Sequence, residues 1–349
     1  MSVFVWWLLL IVMAVVILIA SNFLAKAADV IAEKTGLGRS FIGVILLATA
    51  TSLPELGTGL SSILLVGEPD LAAGDAFGSN IFNILIIGVL DLVWRNEPIL
   101  NTVTKTPVLV AGLGIILIFI STLALVIHGS NTLISDWYVS PMSLLLIVIF
   151  LVSMYLIFRR DKQTEEDISL TPDLPKYETY SLSRSSLVYF VSAASLVAAS
   201  VILAKTGASI AQMMGWETSF VGTQFLALST SLPELATSLA ALKLGAPELA
   251  ISNVLGSNIF NMGFVLFLDD LAYVDGPIWE GVSQIHILSA VIAIFMTVVV
   301  MLSLIAGKSV GYREIVLSYR GYKTKIWTLE SLVLLVLYVV ASILMFKMA

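Results

Sequence analysis

Apolar runs of about 20 residues follow one another along this chain with only short polar breaks between them, and that feature confines it to a membrane. A helix that crosses the hydrocarbon needs about that many apolar residues, because every backbone N–H and C=O must be satisfied within the segment. The runs fall at about 3–24, 41–65, 71–94, 107–128, 138–158, 185–205, 218–243, 247–268, 283–306 and 327–347. Charged residues make up 12% of the chain, roughly half the share of a water-soluble domain. The expected fold is an all-α integral membrane protein of about ten transmembrane helices, with no sizeable soluble domain. The chain has no cysteine, which excludes disulfides, thiolate metal sites and cysteine nucleophiles. Its apolar N-terminal stretch lacks the basic start and small-residue cleavage site of a signal peptide, so it reads as a retained first span.

Basic residues orient the spans. With the N-terminus outside, all of the 18 lysines and arginines except Lys205 and Lys347 fall on the inside. The acidic Glu68, Asp70, Asp136, Glu217, Asp269, Asp270, Asp275 and Glu280 are then expected to face outside. Both termini are placed outside, in the plasma (inner) membrane. The longest polar stretch, 159–184, contains Pro172 and Pro175 and few apolar residues. It reads as a flexible cytoplasmic linker between two halves, 1–158 and 185–349.

The halves repeat each other. Residues 43–60 read GVILLATATSLPELGTGL and residues 222–239 read GTQFLALSTSLPELATSL. The block TSLPEL is identical at 51–56 and 230–235, and GSNIFN is identical at 78–83 and 256–261. Each half holds five spans. Five is odd, so the second half enters the membrane inverted, an architecture common among secondary transporters, with the site near the midplane.

Glu55 and Glu234 lie well inside their spans, where an ionised carboxylate costs several kcal/mol unless it faces protein, water or a cation. Thr51 and Ser52 precede Glu55 by one helical turn, and Thr230 and Ser231 precede Glu234 likewise, so the hydroxyls share the carboxylate's face. Pro54 and Pro233 cannot donate a backbone hydrogen bond, so both helices are expected to break just before the glutamates and free carbonyls there. Ser79 and Asn83, and Ser257 and Asn261, are four apart and add hydroxyl and amide oxygens. Gly78 and Gly256 are expected to let neighbouring helices approach closely. Carboxylate, hydroxyl and carbonyl oxygens together form the hard shell that Ca²⁺ prefers, and Na⁺ is a hard cation of similar size. A lone serine or a membrane proline is commonly helix glue or a kink. Paired glutamates in duplicated contexts are not.

At these blocks the chain resembles the cation/Ca²⁺ exchanger superfamily, and within it the Na⁺/Ca²⁺ exchangers, whose two α-repeats match 43–83 and 222–261. The resemblance implies alternating-access antiport of Ca²⁺ against Na⁺, with the first span of each half sliding to switch access. Carried over position by position, it implies ion ligands at the carbonyl of Ala48 and at Thr51, Ser52, Glu55, Ser79 and Asn83. The second repeat supplies the carbonyl of Ala227 with Thr230, Ser231, Glu234, Ser257 and Asn261. Asn261 stands where K⁺-dependent relatives carry Asp, which leans toward K⁺ independence. Ca²⁺/H⁺ exchangers usually show a GNxxE-type motif in place of TSLPE, which makes H⁺ the alternative partner. A cation channel and an intramembrane hydrolase using the two carboxylates are more distant alternatives; the expectation is a transporter and not an enzyme. No cofactor is expected, since Ca²⁺ and Na⁺ bind as substrates.

Other features carry less. Asp75 stands where the second repeat has Asn253, and reads as a solvated carboxylate at the outer start of its span that could draw cations to the entrance. His128 and His286 read as interfacial, without matching partners. Residues 308–327 mix basic residues with Tyr312, Tyr319 and Tyr322, as suits a segment against anionic headgroups, and no nucleic-acid partner is expected.

Overall fold

The computed structural model describes residues 2–35, 43–94, 98–103, 106–129, 138–168, 179–306 and 328–348. Regular structure among them is entirely helical. In chain order the helices are α1 (Val3–Thr35), α2 (Gly43–Ser61), α3 (Pro69–Val93), α4 (Thr106–Gly129), α5 (Pro141–Ile168) and α6 (Leu182–Met214). The second half continues with α7 (Thr218–Val221), α8 (Ala227–Thr230), α9 (Leu232–Lys243), α10 (Pro247–Phe260) and α11 (Leu266–Ala272). It ends with α12 (Ile278–Gly281), α13 (Ile285–Ala306) and α14 (Leu329–Met348). Wider π-helical turns occupy Ser62–Val66, Gly222–Leu226 and Asn261–Val265.

Nine helical stretches among the described residues are long and apolar enough to cross a membrane, α7 to α9 and α10 to α11 each counting as one. Helix α2 with its π-helical continuation fills the place of the second expected span. The chain is therefore a multi-pass, all-α integral membrane protein built as two inverted five-helix repeats. Burial sorts the helices into layers. In α3, 83% of the most apolar window is buried, against 22% in α1. On α1 the exposed side chains Phe4, Leu8, Ile11, Val15 and Ile19 recur at helical spacing, a continuous apolar stripe suited to lipid tails. Helices α1 and α6 pack against each other along their length. At 33 residues each they are about 50 Å long, well beyond the roughly 30 Å of hydrocarbon.

The repeat helices meet with their backbones touching. A Cβ on Gly222 would come 2.7 Å from the Leu71 carbonyl, and one on Gly74 would come 3.0 Å from the Gly222 Cα. A Cβ on Gly78 would collide with the Thr223 backbone. Helix α3 is thereby set directly against the π turn that precedes the second TSLPEL block. Gly256 differs from the expectation: a Cβ there meets nothing within 4 Å, so this glycine mediates no close approach.

Several outer-end expectations are corrected as well. Asp269 and Asp270 are fully buried rather than facing an aqueous outside. Asp270 accepts hydrogen bonds from the backbone N–H groups of Ser140 (2.8 Å) and Ile278 (2.6 Å), because the chain folds back over the end of α11. His128 is buried against Ser140 Oγ at 3.0 Å and lies 3.4 Å from Glu280. His286 stacks on Phe77 and stands 3.4 Å from Asp70. Both rings are thus buried, His128 hydrogen-bonded to Ser140 and His286 stacked on Phe77 with its ring nitrogens making no hydrogen bond. Helix α5 runs to Ile168, so the first residues of the stretch 159–184 are helical. Residues 169–178 of that stretch, Asp136, and 308–327 lie outside the described residues.

Candidate ion-binding site

The second TSLPEL block is bent. The π turn Gly222–Leu226 leads into the single turn α8, and Ser231 (φ −86°, ψ 4°) leaves the helix before α9 begins at Leu232. Pro233 thus sits in the first turn of α9, where its missing N–H would have had no helical partner anyway. Glu234 occupies the same first turn, where the exposed N–H ends of the helix favour negative charge. The first block behaves otherwise. Helix α2 continues through Pro54, so the expected break before Glu55 does not occur there.

All ten candidate side chains are 0–1% exposed. The two repeats interleave across the centre. Ser231 Oγ donates to Glu55 Oε1 at 3.4 Å, and Thr230 also reaches Glu55. Thr51 in turn reaches Glu234, whose Oε1 accepts from Ser257 Oγ at 3.2 Å. Each repeat's threonine therefore serves the other repeat's glutamate. Ser79 Oγ lies 3.4 Å from Thr230 Oγ1, and the Ala227 carbonyl accepts from the Thr230 hydroxyl at 3.3 Å. Ala48 lies in the helical stretch 43–50, of which only the backbone is described.

A further set of oxygens has no partner from the protein. Glu55 Oε2, Glu234 Oε2, Ser52 Oγ, Asn83 Oδ1 and Asn261 Oδ1 are buried without one. No lysine or arginine among the described residues is buried to balance the two glutamates. Nor do any three acidic or histidine side chains among them converge as a metal cage. A cation held here would be coordinated mainly by hydroxyl, amide and carbonyl oxygens around two carboxylates, as hard ions accept.

Three contributors escaped the sequence reading. Asp75 is 1% exposed, not solvated; its Oδ1 accepts from Thr230 Oγ1 at 2.9 Å, and it lies within interaction range of Glu55. Close packing at Gly74 and Gly78 is what draws this turn of α3 inward. Asn80 and Asn258 are the others: Asn83 Nδ2 donates to Asn258 Oδ1 at 3.0 Å, and Asn258 Nδ2 donates to the Asn80 carbonyl at 3.3 Å. Their signal was present, since both asparagines belong to the duplicated GSNIFN.

A family model described as sodium/calcium exchanger protein matches residues 5–162 and 185–347, nearly the whole chain and both halves of the repeat. The chain belongs to the sodium/calcium exchanger protein family. It is thus an antiporter of that family. Among curated relatives, the putative antiporter CaxA of Alkalimonas amylolytica is 29% identical over 71% of this chain and 74% of its own. Inner membrane protein YrbG of Escherichia coli K12 is 28% identical over 72% and 75%. The sodium/calcium exchanger MaX1 of Methanosarcina acetivorans is 22% identical over 93% and 94%. In fold the chain is similar to the sodium-calcium exchanger NCX_Mj soaked with 10 mM Na⁺ and no Ca²⁺ (TM-score 0.60, 20% identity, 97% and 98% covered). It is also similar to native YfkE (TM-score 0.66, 18% identity, 97% and 92% covered).

Proposed function

We propose that this exchanger moves Ca²⁺ against Na⁺ by alternating access, with Glu55 and Glu234 as shared ligands. The observation that carries the reading is the pair of fully buried glutamates, each with an oxygen left over, among hydroxyl and amide oxygens and with no lysine or arginine buried among the described residues. In this reading the remaining ligands are Thr51, Ser52, Ser79, Asn83, Thr230, Ser231, Ser257 and Asn261, with the carbonyls of Ala48 and Ala227. The two glutamates alone balance one Ca²⁺ or two Na⁺, with the Asp75 carboxylate close by, and in this reading the two ions compete for one set of oxygens. Sodium enters this reading from two similar proteins, the sodium/calcium exchanger MaX1 and the sodium-calcium exchanger NCX_Mj, and from the TSLPEL signature. The basic-residue asymmetry supports the further reading that both termini lie outside and the 159–184 stretch in the cytoplasm.

The test is ⁴⁵Ca²⁺ uptake into proteoliposomes under imposed gradients. Na⁺-loaded vesicles diluted into Na⁺-free medium are expected to accumulate Ca²⁺, with or without K⁺, since Asn261 is not Asp. Uptake driven only by a pH gradient would replace Na⁺ with H⁺. Flux that persists without any counter-ion gradient would make the protein a channel.

A further inference from the structure

In the first repeat, Asp91 ties down the end of α3: its Oδ1 accepts from the backbone N–H of Ile99 at 2.8 Å. Its Oδ2 accepts from the hydroxyls of Thr328 and Ser331, at 2.5 and 2.6 Å. Counting forward from the GSNIFN blocks, Asp91 corresponds to Asp269. In the structure, however, it is Asp270 that makes the same bond eight residues ahead, from the Ile278 N–H at 2.6 Å. The cause is local. Directly after the second GSNIFN the helix widens into the π turn Asn261–Val265, which takes in one extra residue, whereas α3 stays α-helical throughout. Asp270 has moved into the capping position. Asp269 is left one place behind, about 100° further round the helix.

That rotation turns Asp269 onto α2. A Cβ on Gly59 would come 2.7 Å from both Asp269 carboxylate oxygens, so the carboxylate lies against the α2 surface. Gly59 is one turn beyond Glu55, and Glu55, Thr58, Gly59 and Ser62 form one helical stripe. Helix α11 also packs on the π turn Ser62–Val66 and on α3. Asp269, Thr58 and Ser62 are each 0% exposed, and both Asp269 oxygens, Thr58 Oγ1 and Ser62 Oγ have no partner. The same is true of Asp75 Oδ2, and Asp75 lies within interaction range of Asp269.

From this geometry we infer that Asp269, with Asp75, Thr58 and Ser62, forms a second hard-cation site, one helical turn outward from Glu55. The transported ion stops there between the outer face and the glutamate pair. The inference rests on the reading of Glu55 and Glu234 as central ligands and on the outward orientation of this end of α2. The donors are all oxygens, the set suited to Na⁺ or Ca²⁺. A buried carboxylate without a cationic partner is costly, and an ion supplied from solution offsets that cost.

The experiment measures half-saturation by ⁴⁵Ca²⁺ and ²²Na⁺ separately at each face, in right-side-out and inverted vesicles carrying the full chain. Asp269→Asn keeps the shape and removes the charge. It is expected to raise half-saturation at the outer face about tenfold, and to change the inner face less than about twofold. Gly59→Ala keeps the charge but pushes the carboxylate aside, and is expected to give the same one-sided shift. A shift for only one of the ions assigns the site to that ion. Unchanged outer half-saturation in both variants, or equal shifts at both faces, overturns the outer site. Retention of exchange by Glu55→Gln would instead overturn the central reading, whatever Asp269→Asn does.

Discussion

In α2 the residues 51–56 carry an α-helix straight through Pro54, whereas the same six residues at 230–235 interrupt one at Ser231. The blocks that follow differ in the same sense: α3 runs unbroken through the first GSNIFN, and α10 gives way to a π turn at the end of the second. Identical hexapeptides therefore do not dictate the break. The surroundings do. The second TSLPEL follows a π turn pressed by Gly74 and Gly78 of α3, and the widened backbone there leaves Ser231 outside the helical range. A transporter built from two inverted copies needs them to differ at any one moment, since the site opens to one side when one copy takes the conformation the other has left. Here the second copy is the bent one.

The sharpest way to break the comparison is through the glycines. Gly78→Ala drives a methyl into the Thr223 backbone, which overpacking predicts will cost about 1–3 kcal/mol and several degrees of melting temperature. Gly256→Ala, at the matching place in the second repeat, points into open space. It should leave stability unchanged or raise it by about 0.5–1 kcal/mol through helix propensity. Thermal melting of the two purified variants checks this. Equal losses would mean that the two GSNIFN blocks pack alike.

Smaller effects of opposite sign are expected at the prolines. Pro54 sits inside a continuous helix, so Pro54→Ala restores a backbone hydrogen bond and should raise stability by about 1 kcal/mol or more. Pro233 sits in the first turn of α9, where proline is well suited, so Pro233→Ala should lower stability by about 0.5 kcal/mol. Shifts of the same sign in both would contradict the difference between the two helices.

Much of the molecule was legible in the sequence because the signals were long or doubled. Ten apolar runs gave the spans, and the two TSLPEL and GSNIFN blocks pointed to Glu55, Glu234 and their neighbours, which the structure brings together. What escaped depended on contacts between halves. Asp75 near the start of its span looks solvated until α3 is seen pressed onto Gly222. Asp269 looks like the equivalent of Asp91 until the π turn shifts the register by one residue, a change that counting along the chain cannot register. The histidines needed neighbours about 150 positions away, Glu280 for His128, or on another helix, Asp70 for His286.

One measurement bears most directly on the shared glutamate site: ⁴⁵Ca²⁺ uptake by Na⁺-loaded proteoliposomes, normalised to monodisperse protein, for Glu55→Gln and Glu234→Gln. Glutamine keeps the shape and one carbonyl ligand but removes a full charge, and hard-cation affinity depends strongly on the number of charged ligands. Folding should survive, since a neutral amide is less costly to bury in a membrane than an unpaired carboxylate. Both variants are expected to melt like the wild type without Ca²⁺, to lose its Ca²⁺-dependent rise in melting temperature, and to show no exchange. Uptake near the wild-type level in either variant would contradict the assignment of both glutamates as central ligands.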